Sequence, residues 1–316
     1  MKVGVLTSGG DAPGMNAAIR AVVRTAISYN MEAYGIMDGY KGLVEGNIKK
    51  MERNDVGQII NRGGTILGSS RLESFLKKNI RQKGVDHLLA LGIEALVVIG
   101  GDGTYRGAMD LSDMGIRCIA IPGTIDNDIA STEYTIGFFT ALDTAIDAID
   151  KLRDTSFSHQ RCTVVEVMGR NCGDLAIFAG IACGAEIVIT RDTGFNRDDV
   201  LQQVQLAKEK GKRHLVIVVA ENITDVTQLA QDIDDHSVYE ARASVLGYIQ
   251  RGGTPSAYDR ILASKMGAYA VDLIRQGLGG LAVYSHSLEV GHCDIKSALK
   301  QQLRSSDLYN YLSKLN

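Results

Sequence analysis

Two glycine- and aspartate-rich segments carry the chemistry of phosphate and metal: IGGDGT at residues 99–104 and PGTIDND at 122–128. Each follows a run of β-branched apolar residues. A buried parallel strand opening into such a loop lets backbone N–H groups approach phosphate oxygens, and it sets Asp102 where a divalent cation can be held. The residues between, about Tyr105 to Met114, read as a helix, so the right-handed crossover rule makes the two strands parallel and adjacent. Adjacent strands lie about 4.8 Å apart. Asp102 and Asp126 are therefore expected to converge at the carboxyl ends of the strands, where open parallel sheets bind ligands. Either segment alone also makes a good turn. The pair is harder to read as turns only, because Asp102, Asp126 and Asp128 repel one another unless a metal or a basic ligand neutralises them.

Two further segments have the composition of anion sites. VGVLTSGGDAPGMNAAIRAVV reads as a strand, a glycine loop and a helix, placing the donors of Gly9, Gly10 and Asp11 near a helix N-terminus. No Lys follows the glycines as in G-x-x-x-x-G-K-[ST], so this is not a Walker A motif, and a tight strand-to-helix turn explains the glycines equally well. RGGTILGSSR at 62–71 ends in Arg71, a candidate phosphate clamp, although its glycines fit an ordinary loop.

The elements that must position these residues alternate along the whole chain. Apolar runs at 3–6, 95–99, 117–121, 163–167, 186–190, 215–220 and 243–249 read as strands, with helical patterns filling most gaps. That alternation is the α/β signature, and its length predicts two sheets. No low-complexity linker divides them; the chain is expected to cross between domains near 135–140 and again near Gly252 and Gly253. At 316 residues and 45% hydrophobic content the chain can bury ample core. A net charge of −3 with dispersed basic residues argues against a nucleic-acid surface. The five cysteines form no C-x-x-C pair and sit largely in apolar runs, which suits a reducing, cytoplasmic setting. MKVGVL is too short for a signal h-region, and no apolar run reaches membrane-spanning length, so neither export nor a membrane is expected.

TSGGDAPGMN, GGT followed by SSR, VVIGGDGT, PGTIDND, VMGRNCGDLA, VVAEN and LGYIQRGGTPSAYDR together resemble, in order and over essentially the whole chain, the bacterial ATP-dependent 6-phosphofructokinase family. GGDG alone also occurs in NAD and lipid kinases; the series is the specific signal. The resemblance implies two interlocked doubly wound, three-layer αβα domains with mostly parallel sheets. Residues 1–137 plus 250–300 would form a large ATP- and magnesium-binding domain, and 138–249 plus 301–316 a small sugar-phosphate domain. It implies a homotetramer with active sites shared between subunits, and transfer of the ATP γ-phosphoryl group to the 1-hydroxyl of fructose 6-phosphate.

Matched position by position, the resemblance makes Asp126 the acceptor of the sugar hydroxyl proton, Asp102 the magnesium ligand and Thr124 a holder of the transferring phosphoryl, with Asp128 and Arg170 completing the catalytic set. Gly10, Arg71, Leu72, Gly101, Gly103 and Thr104 fall where ATP lies. Ile125, Met168, Gly169, Arg170, Glu221, Tyr248 and Arg251 match sugar-phosphate positions, with Arg161 and Arg242 supplied by a neighbouring subunit. An effector site for ADP and phosphoenolpyruvate is implied at Arg20, Arg24, Arg53, Arg153, Gly184, Glu186, Lys210, Lys212 and His214, Glu186 being suited to a magnesium ion bound with ADP. Pyrophosphate-dependent relatives are similar but carry Asp and Lys where this chain has Gly103 and Gly123, so ATP is the expected donor. Three positions depart from the family pattern: Tyr248 stands where His is expected, Phe139 where Asp is usual, and Leu72–Ser74 replaces a segment with Pro and Glu. They bear on fructose 6-phosphate affinity and the ATP loop. The alternatives to an ATP-using kinase are a regulatory paralogue that senses nucleotide and sugar phosphate, or a pyrophosphate-dependent enzyme.

Overall fold

The computed structural model describes residues 1–303 and 306–315; residues 304, 305 and 316, part of the segment 301–316 expected in the small domain, lie outside the described residues. The chain runs β1 (Lys2–Ser8), α1 (Met15–Ser28), β2 (Glu32–Ile36), α2 (Gly39–Glu45), β3 (Ile48–Met51), a long loop, α3 (Lys78–Ala90), β4 (Ala95–Gly100), α4 (Asp102–Ser112) and β5 (Arg117–Pro122). Helix α5 (Phe138–His159) opens a second run: β6 (Cys162–Val167), α6 (Asp174–Cys183), β7 (Ile187–Ile189), α7 (Arg197–Glu209), β8 (Leu215–Ala220), α8 (Val226–His236) and β9 (Ala241–Val245). A 3-10 turn at Gly247–Arg251 leads to α9 (Ala257–Arg275), β10 (Leu281–His286), β11 (Glu289–Asp294), α10 (Ile295–Ala298) and α11 (Tyr309–Leu315). The chain divides into two compact units, one of Met1–Ile125, Ile129–Thr140 and Arg251–Gln302, the other of Asp126–Asp128, Ala141–Gln250 and Leu303–Asn316.

In the first unit seven strands lie in the order β11-β10-β5-β4-β1-β2-β3. The central strands are parallel; β3 and β11 are antiparallel edges. β1, β4 and β5 are near-continuous apolar runs because both faces of a central parallel strand are covered. Leu6, Leu96, Val98, Cys118 and Ala120 point to one face, against Tyr40 and Leu43 of α2, Leu88 of α3 and Tyr105 and Leu111 of α4. Helices α1 and α9 pack together and against β4 and β5. Their close approach uses Gly267, where a Cβ would lie 2.8 Å from the Ala18 carbonyl oxygen.

In the second unit four parallel strands lie in the order β7-β8-β6-β9. Cys162, Val164, Ile187, Ile189, Leu215, Ile217 and Val219 pack against Val200 and Val204 of α7 and Leu229 and Ile233 of α8. Helix α6 packs on β7 and β8, with Gly180 admitting the Val188 side chain. Both units are thus layered α/β.

Three details differ from the sequence expectation. The run at 243–249 is not one strand: β9 ends at Val245 and Gly247, at φ +56°, turns the chain into the 3-10 helix. Helix α4 starts at Asp102 rather than near Tyr105, Gly101 preceding its first turn. Strands β2, β3, β10 and β11 have no counterpart among the expected runs. They lie toward the edges of the sheet, and their sequences, EAYGI, IKKM, LAVYSH and EVGHCD, mix polar residues and glycine with the apolar ones, so none reads as a continuous apolar run.

Candidate active site

The crossover expectation holds where it matters. β4 and β5 are adjacent and parallel, in the register Val97 to Ile119 and Gly100 to Pro122, so both loops open at one edge of the sheet. There Gly101 faces Thr124, whose Cβ lies 4.0 Å from the position of a Gly101 Cβ. The Thr124 backbone is fixed by the segment that follows: its N–H donates to Ile136 O at 3.1 Å, and the Thr135 hydroxyl donates to Thr124 O at 2.6 Å.

The glycine loop after β1 lies beside this pair. Gly9 takes φ +88° and Gly14 +106°, left-handed conformations that favour glycine. Thr104, 3% exposed, donates through Oγ1 to Ser8 O at 3.0 Å. The 62–71 loop is tied to the same place: Ser69 Oγ donates to Gly9 O at 2.6 Å, and buried Asn16 donates to the Arg62 and Gly63 carbonyls while accepting from Ile66 N. Arg71 is exposed and Leu72 half-buried against the core. The Arg251 guanidinium covers Gly10, 3.5 Å from where its Cβ would be. This is where the structure places Arg251, the residue expected at the sugar phosphate.

Asp102 opens α4 and accepts from Arg106 Nε at 3.0 Å. Both side chains are well exposed, so the pair contributes little and yields readily to a stronger cation. No group of three His, Cys, Asp or Glu able to hold a metal occurs among the described residues. One exposed carboxylate at a phosphate loop nevertheless suits magnesium, which binds through one or two carboxylates, water and substrate phosphates. The two glycines thought to leave room for ATP differ. A Cβ at Gly103 meets nothing within 4 Å, whereas one at Gly123 comes 2.9 Å from Ile99 Cγ2 and 3.3 Å from Met15 Cε. Gly103 faces open space; Gly123 is a core requirement.

In the second unit the chain just after β6 forms a cradle. Glu221 Oε1 accepts from Gly169 N at 3.2 Å and Arg170 N at 2.6 Å, and buried Gln250 accepts from Met168 N at 2.9 Å. Gly169 at φ +141° and Arg170 at +54° give the turn its shape. The Arg170 side chain reaches Asp128, Nη1 to Oδ2 at 3.5 Å. Asn127, at φ +51°, donates to Asp174 at 2.8 Å. Burial raises the Asp174 carboxyl above the usual carboxylate range against those bonds. Asp126 and Ile125 sit between Thr124 and Asn127 on this loop, half-buried and buried respectively. Tyr248 is 76% exposed in the 3-10 turn, so its ring is not part of the core.

Arg161 and Arg242 are not in that cradle. Arg161 precedes β6, and Arg242 pairs with Thr163 near its start, both held by Glu240. Six residues of strand put them roughly 20 Å from Met168. Among the effector positions, Arg20 and Arg24 share one face of α1, and burial together with the Arg24 charge lowers the Arg20 guanidinium pKa. Arg53, Lys210 and Gly184 are exposed. Arg153 caps α6 by donating to the Cys183 and Gly184 carbonyls; Lys212 pairs with Glu186 at 3.1 Å. The Nε atoms of Arg24 and Arg153 and Nε2 of His214 are buried with no hydrogen-bond partner, and burial lowers the His214 pKa.

Sequence reading missed Asn16, Tyr40, Gln250 and Asp259. Asn16, Gln250 and Asp259 lie inside quoted motifs, but only burial marks them. Tyr40, stacked on Phe75 at 4.2 Å and donating to Thr104 O at 2.6 Å, had no local signal.

Comparison with known proteins places this geometry. The family model for phosphofructokinase matches residues 2–274. The chain is 54% identical over 316 residues to the ATP-dependent 6-phosphofructokinase of Photobacterium profundum, covering 99% of both chains. It is 55% identical over 310 residues to that of Aliivibrio fischeri, covering 98% of this chain and 97% of the relative. Among solved structures, phosphofructokinase from Saccharomyces cerevisiae matches with TM-score 0.87 and 35% identity over 95% of this chain, which spans 45% of the yeast chain. A pyrophosphate-dependent phosphofructokinase from Marinobacter aquaeolei matches with TM-score 0.87 at 21% identity, covering 100% of this chain and 91% of that one, a likeness of fold alone.

Proposed function

This chain belongs to the phosphofructokinase family, and from that premise we propose that it transfers the γ-phosphoryl group of ATP to the 1-hydroxyl of fructose 6-phosphate, giving fructose 1,6-bisphosphate and ADP. The observation that carries this reading is the pairing of Gly101 and Thr124 at the ends of adjacent parallel strands, with Asp102 directly after the one and Asp126 two residues after the other. Phosphoryl transfer needs aligned oxygens, neutralised charge and an acceptor for the alcohol proton. Gly10, Gly101 and Gly103 offer backbone donors to the nucleotide phosphates, with Thr104 shaping the turn through its bonds to Gly101 O and Ser8 O and Arg71 and Leu72 flanking the nucleotide. Asp102 and the substrate phosphates would hold Mg2+, which when bound neutralises charge developing on the transferring group. Thr124 holds that group, Asp126 accepts the sugar hydroxyl proton, and Asp128 fixes Arg170 beside it.

Ile125, Met168, Gly169, Glu221, Tyr248 and Arg251 receive the sugar phosphate. Arg161 and Arg242 serve a second copy's site, a reading supported by the strand length separating them from their own cradle. The active form is therefore a homo-oligomer, a tetramer on the family pattern. The buried, unpaired nitrogens of Arg24, Arg153 and His214 support an anionic effector; ADP and phosphoenolpyruvate fit that charge, with Arg20, Arg53, Gly184, Glu186, Lys210 and Lys212 around it. Among the described residues no helix is long and apolar enough to cross a membrane. The free, largely buried cysteines suit work in the cytoplasm, in glycolysis. A coupled assay of the purified protein with magnesium, fructose 6-phosphate and either ATP or pyrophosphate tests the reading. Turnover with ATP is expected, and turnover with pyrophosphate alone, or with neither donor, would overturn it.

A further inference from the structure

We infer that Asp259 is the positioning residue that fixes the loop carrying Thr124 and Asp126, an inference that rests on the phosphoryl-transfer reading above. Asp259 is fully buried in the first turn of α9. Its Oδ1 accepts from Gly137 N at 2.8 Å; its Oδ2 accepts from Thr140 N at 2.8 Å, Thr140 Oγ1 at 2.6 Å and Ser256 Oγ at 3.1 Å. Gly137 and Thr140 flank the start of α5, whose first amides have no partner inside the helix. Gly137 has no side chain to cap them and at φ +104° lies against Ala12, so the cap comes from α9. Among the described residues no Lys, Arg or His pairs with this carboxylate. Its charge is held by these donors at the N-termini of two helices, where the helix dipoles favour an anion.

The anchored residue is next to the one that positions the chemistry. Ile136, directly before Gly137, accepts from Thr124 N and donates to Pro122 O, and Thr135 holds the Thr124 carbonyl. On its other side Ile136 touches the glycine loop, 2.6 Å from the site of a Gly14 Cβ. One buried carboxylate thus holds the short segment against which the Thr124 loop is registered and on which the β1 glycine loop rests. A displacement of about 1 Å at a reacting group costs on the order of 10²-fold in rate. Asn in place of Asp has one acceptor oxygen for donors that now meet two, so whichever way the amide turns its N–H2 confronts a backbone N–H, that of Gly137 when the oxygen keeps the Oδ2 position. It should shift that segment while altering no atom that touches substrate.

The experiment is a double-mutant cycle. Asp259→Asn is expected to lower kcat roughly 10- to 100-fold with both KM values within about threefold. In an Asp126→Ala background it should cost less than about threefold, because residues acting through one another are not additive. An equal loss in both backgrounds, or a loss confined to KM, would show that Asp259 merely stabilises the fold and overturn the inference. If Asp259→Asn is not recovered folded, Thr140→Ala, which deletes one hydroxyl from the network, takes its place. A smaller kcat loss that vanishes in the Asp126→Ala background supports the inference; a loss that persists there, or no loss, refutes it. Failure of the underlying reading is distinct: Asp126→Ala alone would then turn over normally.

Discussion

Gly103→Asp separates donor recognition from folding. Gly103 is exposed in the first turn of α4, and a Cβ there meets nothing within 4 Å, so the new side chain disturbs no packing. An acid in the first turn complements the helix dipole by about 0.3–1 kcal/mol, so thermal stability should hold or rise slightly. At a separation of about 6 Å from a nucleotide phosphate, two unit charges repel by about 0.7 kcal/mol at water's dielectric and about 2.8 kcal/mol at an effective value near 20. ATP binding should weaken roughly 3- to 100-fold, converting those energies at about 1.4 kcal/mol per decade. A coupled assay titrating MgATP at saturating fructose 6-phosphate reads this directly, with thermal denaturation as the control. Gly123→Lys should behave oppositely, because its Cβ is forced to 2.9 Å from Ile99 Cγ2; overpacking of that kind costs about 1–3 kcal/mol, so this variant should melt lower whatever the donor. A folded Gly103→Asp protein whose KM for MgATP stays within twofold would refute the placement of Gly103 at the donor phosphates.

Other expected outcomes are as direct. Asp126→Ala should lower kcat by about two to four orders of magnitude while leaving ATP binding, measured by calorimetry, largely intact; near-normal turnover would end its assignment as the base. Tyr248→His, at a position 76% exposed, should lower the KM for fructose 6-phosphate about fivefold at pH 6.5 and less at pH 8, since a protonated imidazole offers about 1 kcal/mol more to a phosphate than a neutral phenol. A gain independent of pH would point away from the phosphate. Arg24→Ala should flatten the response to ADP or phosphoenolpyruvate with basal turnover kept, as coupling requires differential effector binding; unchanged effector curves would count against that site.

What could be read from the sequence was the chemistry at the ends of buried strands. β4 and β5 announce themselves because a parallel strand covered on both faces must be apolar throughout, and the acid and glycine residues that follow stand out against that run. Strands β3 and β11 gave no such contrast, being antiparallel edges whose residues are largely polar and exposed or half-buried. Gly103 and Gly123 look alike in sequence, and only the neighbours of an added Cβ tell an open position from a packed one. Asp259 was hidden for the same reason: its sequence neighbours, Tyr258 and Arg260, say nothing of Gly137 and Thr140, more than a hundred residues away.

The strand order also sets a timetable for synthesis. The four strands of the second sheet all come from residues 162–245, a single stretch that can pair as soon as it leaves the ribosome. The first sheet, though its nucleotide loops are made earliest, has no partner for β5 on one side until β10 emerges at residue 281, and α1 waits for α9 at 257–275. The N-terminal segment must therefore persist with an open, strongly apolar strand edge while the following half of the chain, residues 123–280, is translated. That interval, more than the finished fold, is where an unpaired apolar edge offers itself to another chain.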